Sequence, residues 1–91
     1  MNGSRIVMTL KAQLKKLIVE ELNLTDIRAE DIGDDDPLFG DKFGLDSIDA
    51  VELVFQIKAQ FGAEIKNMKE GRSVLRSINT ISAFIEKRRG A

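Results

Sequence analysis

Apolar residues near the start of the chain are separated mostly by three or four positions, which is the spacing of one helix face. The pattern predicts a first helix over about residues 5–22. We expect Ser4 or Thr9 to cap its start and Asn23 to end it. The apolar stripe consists of Val7, Leu10, Leu14, Leu17, Ile18 and Leu22.

The next segment, residues 23–45, is rich in aspartate and glycine and is predicted to be a long connecting loop. A loop of this length without structure is unusual in a compact domain. We therefore expect isolated apolar side chains to pin it onto the core, and Asp36-Pro37 to begin one short helical turn. The pinning side chains are Ile27, Ile32, Leu38, Phe39, Phe43 and Leu45.

A second helix is predicted from about Ser47 to Gln60, because this segment is broadly apolar with one narrow polar face. Gly62 is expected to end it, since glycine adopts the left-handed conformation found after many helices. The polar face consists of Asp49, Glu52, Gln56 and Gln60.

The last third of the chain contains two further predicted helices. One short helix is expected within residues 66–79, and a last helix over about residues 80–88, capped by Asn79 or Thr80. No useful run of alternating apolar and polar residues occurs, so no strand is predicted. The expected fold is all-α: a four-helix bundle with three longer helices, a short third helix and a long first loop, forming a single domain over residues 1–91.

The composition narrows the chemistry that this domain can perform. The 91 residues include no cysteine and no histidine, which excludes thiolate and imidazole metal sites and nucleophile–histidine catalytic dyads. No stretch approaches the length of a membrane span, and the first residues do not read as a secretory signal. We therefore expect a cytoplasmic protein, and a monomer, because no extra apolar helix face is evident.

The net charge of −1 conceals a strong segregation of charge along the chain. Residues 1–19 carry four bases and no acid, and residues 20–52 carry twelve acids and two bases. Residues 53–91 carry eight bases and three acids. The acidic middle predicts docking of basic partners, and the basic last third forms a second, different surface.

The segment FGLDSIDAVEL, residues 43–53, places a hydroxyl at the predicted start of the second helix. If Asp46 is the N-cap, its carboxylate accepts backbone N–H bonds, and Asp49 occupies the third helical position. Ser47 is then the first helical residue, and its hydroxyl is not needed for the cap. A phosphodiester on that oxygen would lie at the positive end of the helix dipole, where an anion is favoured.

This segment resembles the signature of the acyl carrier proteins, with Ile48 where leucine or methionine is usual. DPLFGDKFGLDS and VLRSINTISAFI are also similar to the family, so the resemblance covers roughly residues 5–88. It implies that Ser47, preceded by Asp46, receives 4′-phosphopantetheine from coenzyme A through a separate Mg²⁺-dependent phosphopantetheinyl transferase. The protein would then be no enzyme but a carrier, delivering acyl thioesters to enzymes of fatty-acid, lipid or polyketide-type biosynthesis.

The resemblance also implies two sets of contact residues. Acidic residues of the second helix and its approach would meet basic patches on the transferase and on acyl-transferring and condensing enzymes. The docking candidates are Asp41, Asp46, Asp49 and Glu52, with Gln56 on the same helix face. The bundle would shelter an acyl chain, for which the lining candidates are Val51, Val54, Phe55, Ile65, Leu75 and Ile78, with ordinary core packing as the alternative.

The region after Ile65 departs from the family pattern, which is usually acidic there. It carries Lys66, Lys69, Arg72 and Arg76, and Lys66 stands where a proline is frequent. These differences favour a specialised stand-alone carrier with its own partners over the general carrier of fatty-acid synthesis.

Other functions remain open at this point. A helical interaction module with the same fold would leave Ser47 unmodified. The aspartates of DIGDDDPLFGDK suggest calcium, but an EF-hand loop counted from Asp34 places Phe39 at the sixth position and Leu45 at the twelfth, so the register fails and only weak divalent binding by the loop stays open. The basic tail EKRRGA suggests nucleic acid, whose phosphates the acidic middle would repel.

Overall fold

A computed structural model of the chain describes residues 9–90, which form four α-helices. Helix α1 spans Leu10–Glu21, α2 Ser47–Phe61, α3 Met68–Val74 and α4 Ile78–Gly90, with one 3₁₀ turn at Ala29–Asp31. This part of the chain contains no strand, only an isolated bridge between Phe39 and Leu45, so the all-α prediction is confirmed. None of these helices has the length and apolar character needed to cross a bilayer.

Helix α1 begins at a threonine cap and ends close to the predicted position. The Thr9 hydroxyl accepts a hydrogen bond from the Ala12 N–H at 3.1 Å, which confirms one of the two predicted caps. The helix ends at Glu21, and Asn23 has a positive φ of 53°, a conformation that asparagine tolerates better than most residues. The other predicted cap of this helix, Ser4, and the first residue of its predicted apolar stripe, Val7, lie outside the described residues.

The hydrophobic core forms one cluster to which all four helices and the long loop contribute. Burying a leucine or isoleucine side chain stabilises a fold by roughly 1.5–3 kcal/mol, so these residues dominate the stability of the bundle. The fully buried large side chains are Leu14, Ile18, Ile32, Leu38, Leu53, Ile57, Ile78, Ile81 and Ile85.

The long loop is held against the bundle by apolar side chains, as predicted. Ile32 and Leu38 are fully buried, and Phe43 and Leu45 nearly so. The predicted helical turn at Asp36-Pro37 is wrong, because the short turn of this loop lies at Ala29–Asp31. After Pro37 the chain runs inward instead, since the Leu38 N–H donates to the Arg76 carbonyl at 3.0 Å.

Two aspartates add polar attachments to the same loop. Asp34 pairs with Lys15 at 2.7 Å and with Lys11 at 3.8 Å, and Lys15 is the main reason that the pKa of Asp34 lies below its ordinary value. Asp36 pairs with Lys42 at 2.8 Å and accepts the Gly33 N–H at 2.7 Å. These contacts, that with Lys42 first, lower the pKa of Asp36.

Helix α4 starts earlier than predicted and is capped by a different residue. The Ser77 Oγ accepts the Thr80 N–H at 3.2 Å, and the Thr80 Oγ1 accepts the Ser77 N–H at 2.9 Å. Ser77 therefore caps the helix that begins at Ile78, and the predicted caps Asn79 and Thr80 are helical residues. Thr80 takes the role that Glu or Gln plays in the usual reciprocal capping box.

Candidate functional site

Ser47 is the first residue of α2 and is exposed to solvent. Its hydroxyl makes no hydrogen bond to any side chain or backbone group within residues 9–90. A serine at a helix start normally serves as the cap, but here that role belongs to the preceding residue. The Ser47 hydroxyl is therefore accessible and uncommitted, as covalent attachment to its oxygen requires.

The cap of α2 is a reciprocal arrangement of two aspartates. Asp46 Oδ1 accepts the Ile48 N–H at 3.0 Å and the Asp49 N–H at 3.2 Å. Asp49 Oδ2 in turn accepts the Asp46 N–H at 3.0 Å. This capping box confirms the predicted cap and fixes the start of the helix, and with it the position of Ser47.

The chain approaches Ser47 through a tight turn that only glycine adopts easily. Gly40 has φ 126° and Gly44 has φ 68°, and the Gly44 N–H donates to the Gly40 carbonyl at 3.2 Å. The two residues that flank Gly44, Phe43 and Leu45, are buried in the core. Leu45 thus anchors the chain two residues before Ser47, which restricts the position of the serine backbone.

The electrostatic setting of Ser47 has two opposing parts. The helix start carries the positive end of the helix dipole, which favours an anion on the serine oxygen. The amides of Ile48 and Asp49, however, already donate to Asp46. A phosphodiester on Ser47 would therefore meet the field of the helix beside two carboxylates, without these two amides as hydrogen-bond donors.

The predicted docking residues divide into a polar network and more accessible acids. Gln56 Nε2 donates to Glu52 Oε2 at 2.9 Å and, across to α1, to Glu21 Oε1 at 3.1 Å. Glu52 is therefore half-buried and oriented, and Gln56 connects the two helices. Asp49 is half-buried in the cap, whereas Asp41 is exposed and forms no ion pair within residues 9–90.

A strip of apolar side chains on α2 faces solvent, which the apolar pattern of the sequence does not predict. Ile48 is 76% exposed, Val51 70% and Phe55 63%. They are spaced three and four residues apart, on the opposite side of the helix from the buried Leu53 and Ile57. Val51 and Phe55 were expected to line a space between helices, and in this structure they lie on the outside instead.

The other four lining candidates lie in or against the core. Leu75 and Ile78 are buried, and Val54 and Ile65 are half-buried and pack on the same cluster. Two surface clefts, one between α1 and the end of α2 and one between α1 and the 3₁₀ turn, are lined by other residues. Within residues 9–90, no three carboxylates converge in a way that could hold a metal ion.

Comparison with known proteins bears on the same part of the chain. Residues 12–69 match the family model described as "Phosphopantetheine attachment site". An acyl carrier protein of Solidesulfovibrio magneticus is 30% identical over 83 residues, which cover 91% of this chain and 99% of the relative. An acyl carrier protein of Bradyrhizobium is 31% identical over 75 residues, covering 82% of this chain and 87% of the relative.

Proposed function

The chain belongs to the acyl carrier proteins, which carry acyl groups on a phosphopantetheine arm, and on this basis we propose that the arm is attached to Ser47. The observation that carries the proposal is the exposed Ser47 hydroxyl, which is hydrogen-bonded to nothing in the described chain although it stands at a capped helix start. The arm would supply the thiol that this cysteine-free chain lacks, and the acyl group would be held on it as a thioester.

Asp46 would act in this proposal as a positioning residue. Its Oδ1 holds the first amides of α2, so it keeps Ser47 in the first helical turn with its side chain outward. The transferase would find the serine at a rigid helix start rather than in a mobile loop. Asp46→Asn should preserve the cap, because asparagine caps about as well, and would test separately whether the transferase needs the charge.

We define the docking face as the apolar strip Ile48, Val51 and Phe55 together with Asp41, Asp49, Glu52 and Gln56. An apolar centre with a charged rim is the usual construction of a protein interface. The acids would attract basic patches on the transferase and on acyl-transferring and condensing enzymes, mainly by speeding encounter. Because exposed charges are screened beyond roughly 8 Å at physiological salt, binding through this rim should weaken as salt rises.

Gln56 is uncharged and contributes to this face by hydrogen-bonding to charged neighbours. Its amide donates to Glu52 and Glu21, two carboxylates on different helices. The proposed role of Gln56 is to fix the direction of Glu52 and to moderate the repulsion between the two acids. Gln56→Ala should therefore alter the salt dependence of docking, and Gln60→Ala, which removes the donor to Gln56 Oε1 at 3.2 Å, should alter it less.

An acyl chain on the arm would be sheltered by the side of the bundle that contains Val54, Ile65, Leu75 and Ile78. The half-buried Val54 and Ile65 lie at the edge of the core, and Leu75 and Ile78 lie deeper. None of them lines either surface cleft, so a sheltered chain would require the helices to separate. The proposal thus includes an opening step for long apolar cargo.

The carrier we propose is a specialised one, a single domain modified in the cytoplasm, where coenzyme A is available. The basic residues of the α3 region, none of which belongs to the docking face, support this specialisation. A specialised carrier should fail to replace a general fatty-acid carrier in a complementation assay. Full replacement would contradict specialisation without affecting the assignment of Ser47.

The first experiment is intact-protein mass spectrometry after incubation with coenzyme A, Mg²⁺ and a broad-specificity phosphopantetheinyl transferase. The expected result is one added phosphopantetheine on the parent and none on Ser47→Ala. Ser73→Ala is the matched control, because Ser73 is also an exposed serine but follows an arginine. Addition to Ser47→Ala would contradict the site, and no addition to the parent would favour an unmodified helical interaction module.

The docking face is tested by the modification rate as a function of salt. Asp41→Asn with Glu52→Gln should slow modification at low salt and flatten its salt dependence. Asp26→Asn with Glu86→Gln removes two exposed acids elsewhere and is the matched control. Equal slowing in both pairs would mean that net charge, not this face, guides the transferase.

A further inference from the structure

The outer side of α3 carries exposed cations around one exposed apolar side chain. Met68 is 74% exposed, and Lys69, Arg72 and Arg76 are exposed as well. Met68 and Arg72 are four residues apart and Lys69 lies three residues before Arg72, so these three are neighbours on the surface of the helix, and Arg76 follows in the turn after it. Gly71, Val74 and Leu75, by contrast, are buried.

We define the basic face as Lys66, Met68, Lys69, Arg72 and Arg76. Within residues 9–90 none of its four cationic side chains pairs with a carboxylate. The surrounding part of the structure therefore leaves a patch of positive charge uncompensated.

The two acids nearest in sequence do not neutralise this patch, because both are engaged elsewhere. Glu64 pairs with Lys58 of α2 at 3.5 Å. Glu70 Oε1 accepts the Lys66 backbone N–H at 2.9 Å, and its Oε2 lies 3.3 Å from Arg88 of α4. The positive charge of the basic face is thus available to an outside partner.

We infer that the basic face is a second docking surface, for a protein whose contact region presents carboxylates around an apolar side chain that packs against Met68. Methionine and arginine are enriched in interface cores, and methionine adapts its shape to apolar neighbours. The complementary charge belongs to the partner, since the cations have no carboxylate partner in the described chain. This surface is distinct from the docking face, whose rim is acidic.

A protein fits this surface better than a uniformly anionic partner does. An anionic membrane or a nucleic acid presents negative charge over an extended area. Residues 20–52 carry twelve acids against two bases and would be repelled by such an area. A protein can confine its carboxylates to the patch that meets α3, so it gains the attraction without the repulsion.

The experiment is a titration of the full ¹⁵N-labelled chain, followed by amide chemical shifts. The probe is a short peptide in which glutamates flank one leucine, and the comparison probe replaces leucine by glycine. Shifts from the leucine peptide should concentrate on residues 66–76 and should fall as salt rises. Vesicles containing phosphatidylglycerol form a separate arm and should leave these amides unchanged.

Charge-reversal variants localise the effect. Lys69→Glu with Arg72→Glu should weaken peptide binding at low salt by about tenfold or more, because attraction becomes repulsion. Lys87→Glu with Arg89→Glu reverses two exposed cations of α4 and should change binding by about twofold at most. Met68→Ala should remove the preference for the leucine peptide over the glycine peptide.

Several results would overturn the inference. These are shifts centred on α1 or on the end of α4, equal losses in both charge-reversal pairs, no preference for the leucine peptide, and vesicle binding through residues 66–76. The mass increase at Ser47 is measured on the same variants. Full modification with lost peptide binding isolates the basic face, whereas absent modification of the parent would bear on the proposed function alone.

Discussion

Helices α2 and α3 both present side chains to solvent, but their own ends are fixed in different ways. Helix α2 has 15 residues, a capping box at its start and the left-handed Gly62 at its end. Helix α3 has 7 residues; the Asn67 oxygen caps its start by accepting the Glu70 N–H, and its end is held by the Thr80 hydroxyl of α4, which donates to the Val74 carbonyl. Isolated helices need roughly 12–15 residues before they are even marginally stable in water, so α3 depends on packing to a degree that α2 does not.

This difference bears on the two surfaces that we propose. Ser47 and the docking face stand on a helix whose limits are set by nearby residues. The basic face stands on a helix that exists because Gly71, Val74 and Leu75 pack inward. Local substitutions should therefore act differently in the two helices, and four measurements, from the largest expected effect to the smallest, examine this contrast.

The largest effect should come from the buried side of α2. Leu53→Ala removes a fully buried side chain and should lower the free energy of unfolding by about 2–5 kcal/mol. Val51→Ala, on the exposed strip of the same helix, should change it by about 0.5 kcal/mol or less. Urea denaturation measures both, and similar losses would show that Val51 is packed rather than exposed.

The second effect compares the two N-caps. Asp46→Ala and Asn67→Ala each remove a side-chain acceptor and should cost about 1 kcal/mol, within a range of roughly 0.5–2. Hydrogen exchange should show faster exchange of the first-turn amides in each case. In Asn67→Ala we expect the amides of the shorter α3 to lose protection from exchange along the whole helix. Protection retained in its C-terminal half would argue against the dependence of α3 on packing.

The third comparison concerns two glycine-to-alanine substitutions, which should change the free energy of unfolding in opposite directions. Gly71→Ala should stabilise α3 by up to about 1 kcal/mol, since a Cβ there would lie 3.5 Å from Ile65 Cγ2, an ordinary contact. Gly62→Ala should destabilise the end of α2 by about 1 kcal/mol or more, because its φ of 71° strains any side chain. Thermal unfolding of both variants decides this, and changes of equal sign would contradict it.

The smallest effect concerns the loop that precedes α2. The pKa values of Asp34 and Asp36 lie below their ordinary 3.8 in the folded protein, so the unfolded chain binds protons more readily. The stability that these two carboxylates contribute is therefore present above about pH 4, and it is lost as pH falls through their pKa values in the folded protein. Asp34→Asn and Asp36→Asn should flatten the acid limb of a pH–stability curve, and Asp26→Asn serves as control. An unchanged acid limb would mean that these ion pairs are fully screened.

The same contrast explains how much of the structure could be predicted from the sequence. The limits of α2 were predicted because Asp46, Asp49 and Gly62 mark them locally. The start of α4 was missed, although Ser77 followed three residues later by Thr80 is a readable capping pattern. The short turn at Ala29–Asp31 was missed because its stabilising bond, from the Arg28 N–H to Asp31, carries no strong sequence signal.

The site was predicted in the same uneven way. The cap and the exposed position of Ser47 follow from residues adjacent in sequence, and both were predictable. The orientation of Val51 and Phe55 was not, because α2 has apolar residues around most of its circumference. Only the packing of Leu53 and Ile57 against other elements decides which side is buried, and sequence periodicity does not contain that information.

The contacts that hold α3 to the rest of the structure differ between its two ends. Near the C-terminal end, the Thr80 hydroxyl donates to the Val74 carbonyl at 2.7 Å, and the Arg76 carbonyl accepts the Leu38 N–H. Toward the other end, the tie to α4 is the ion pair of Glu70 with Arg88. Salt screens an ion pair more than it weakens these hydrogen bonds, so rising salt should loosen the contact of α3 with α4 at Glu70 before the contacts near Val74.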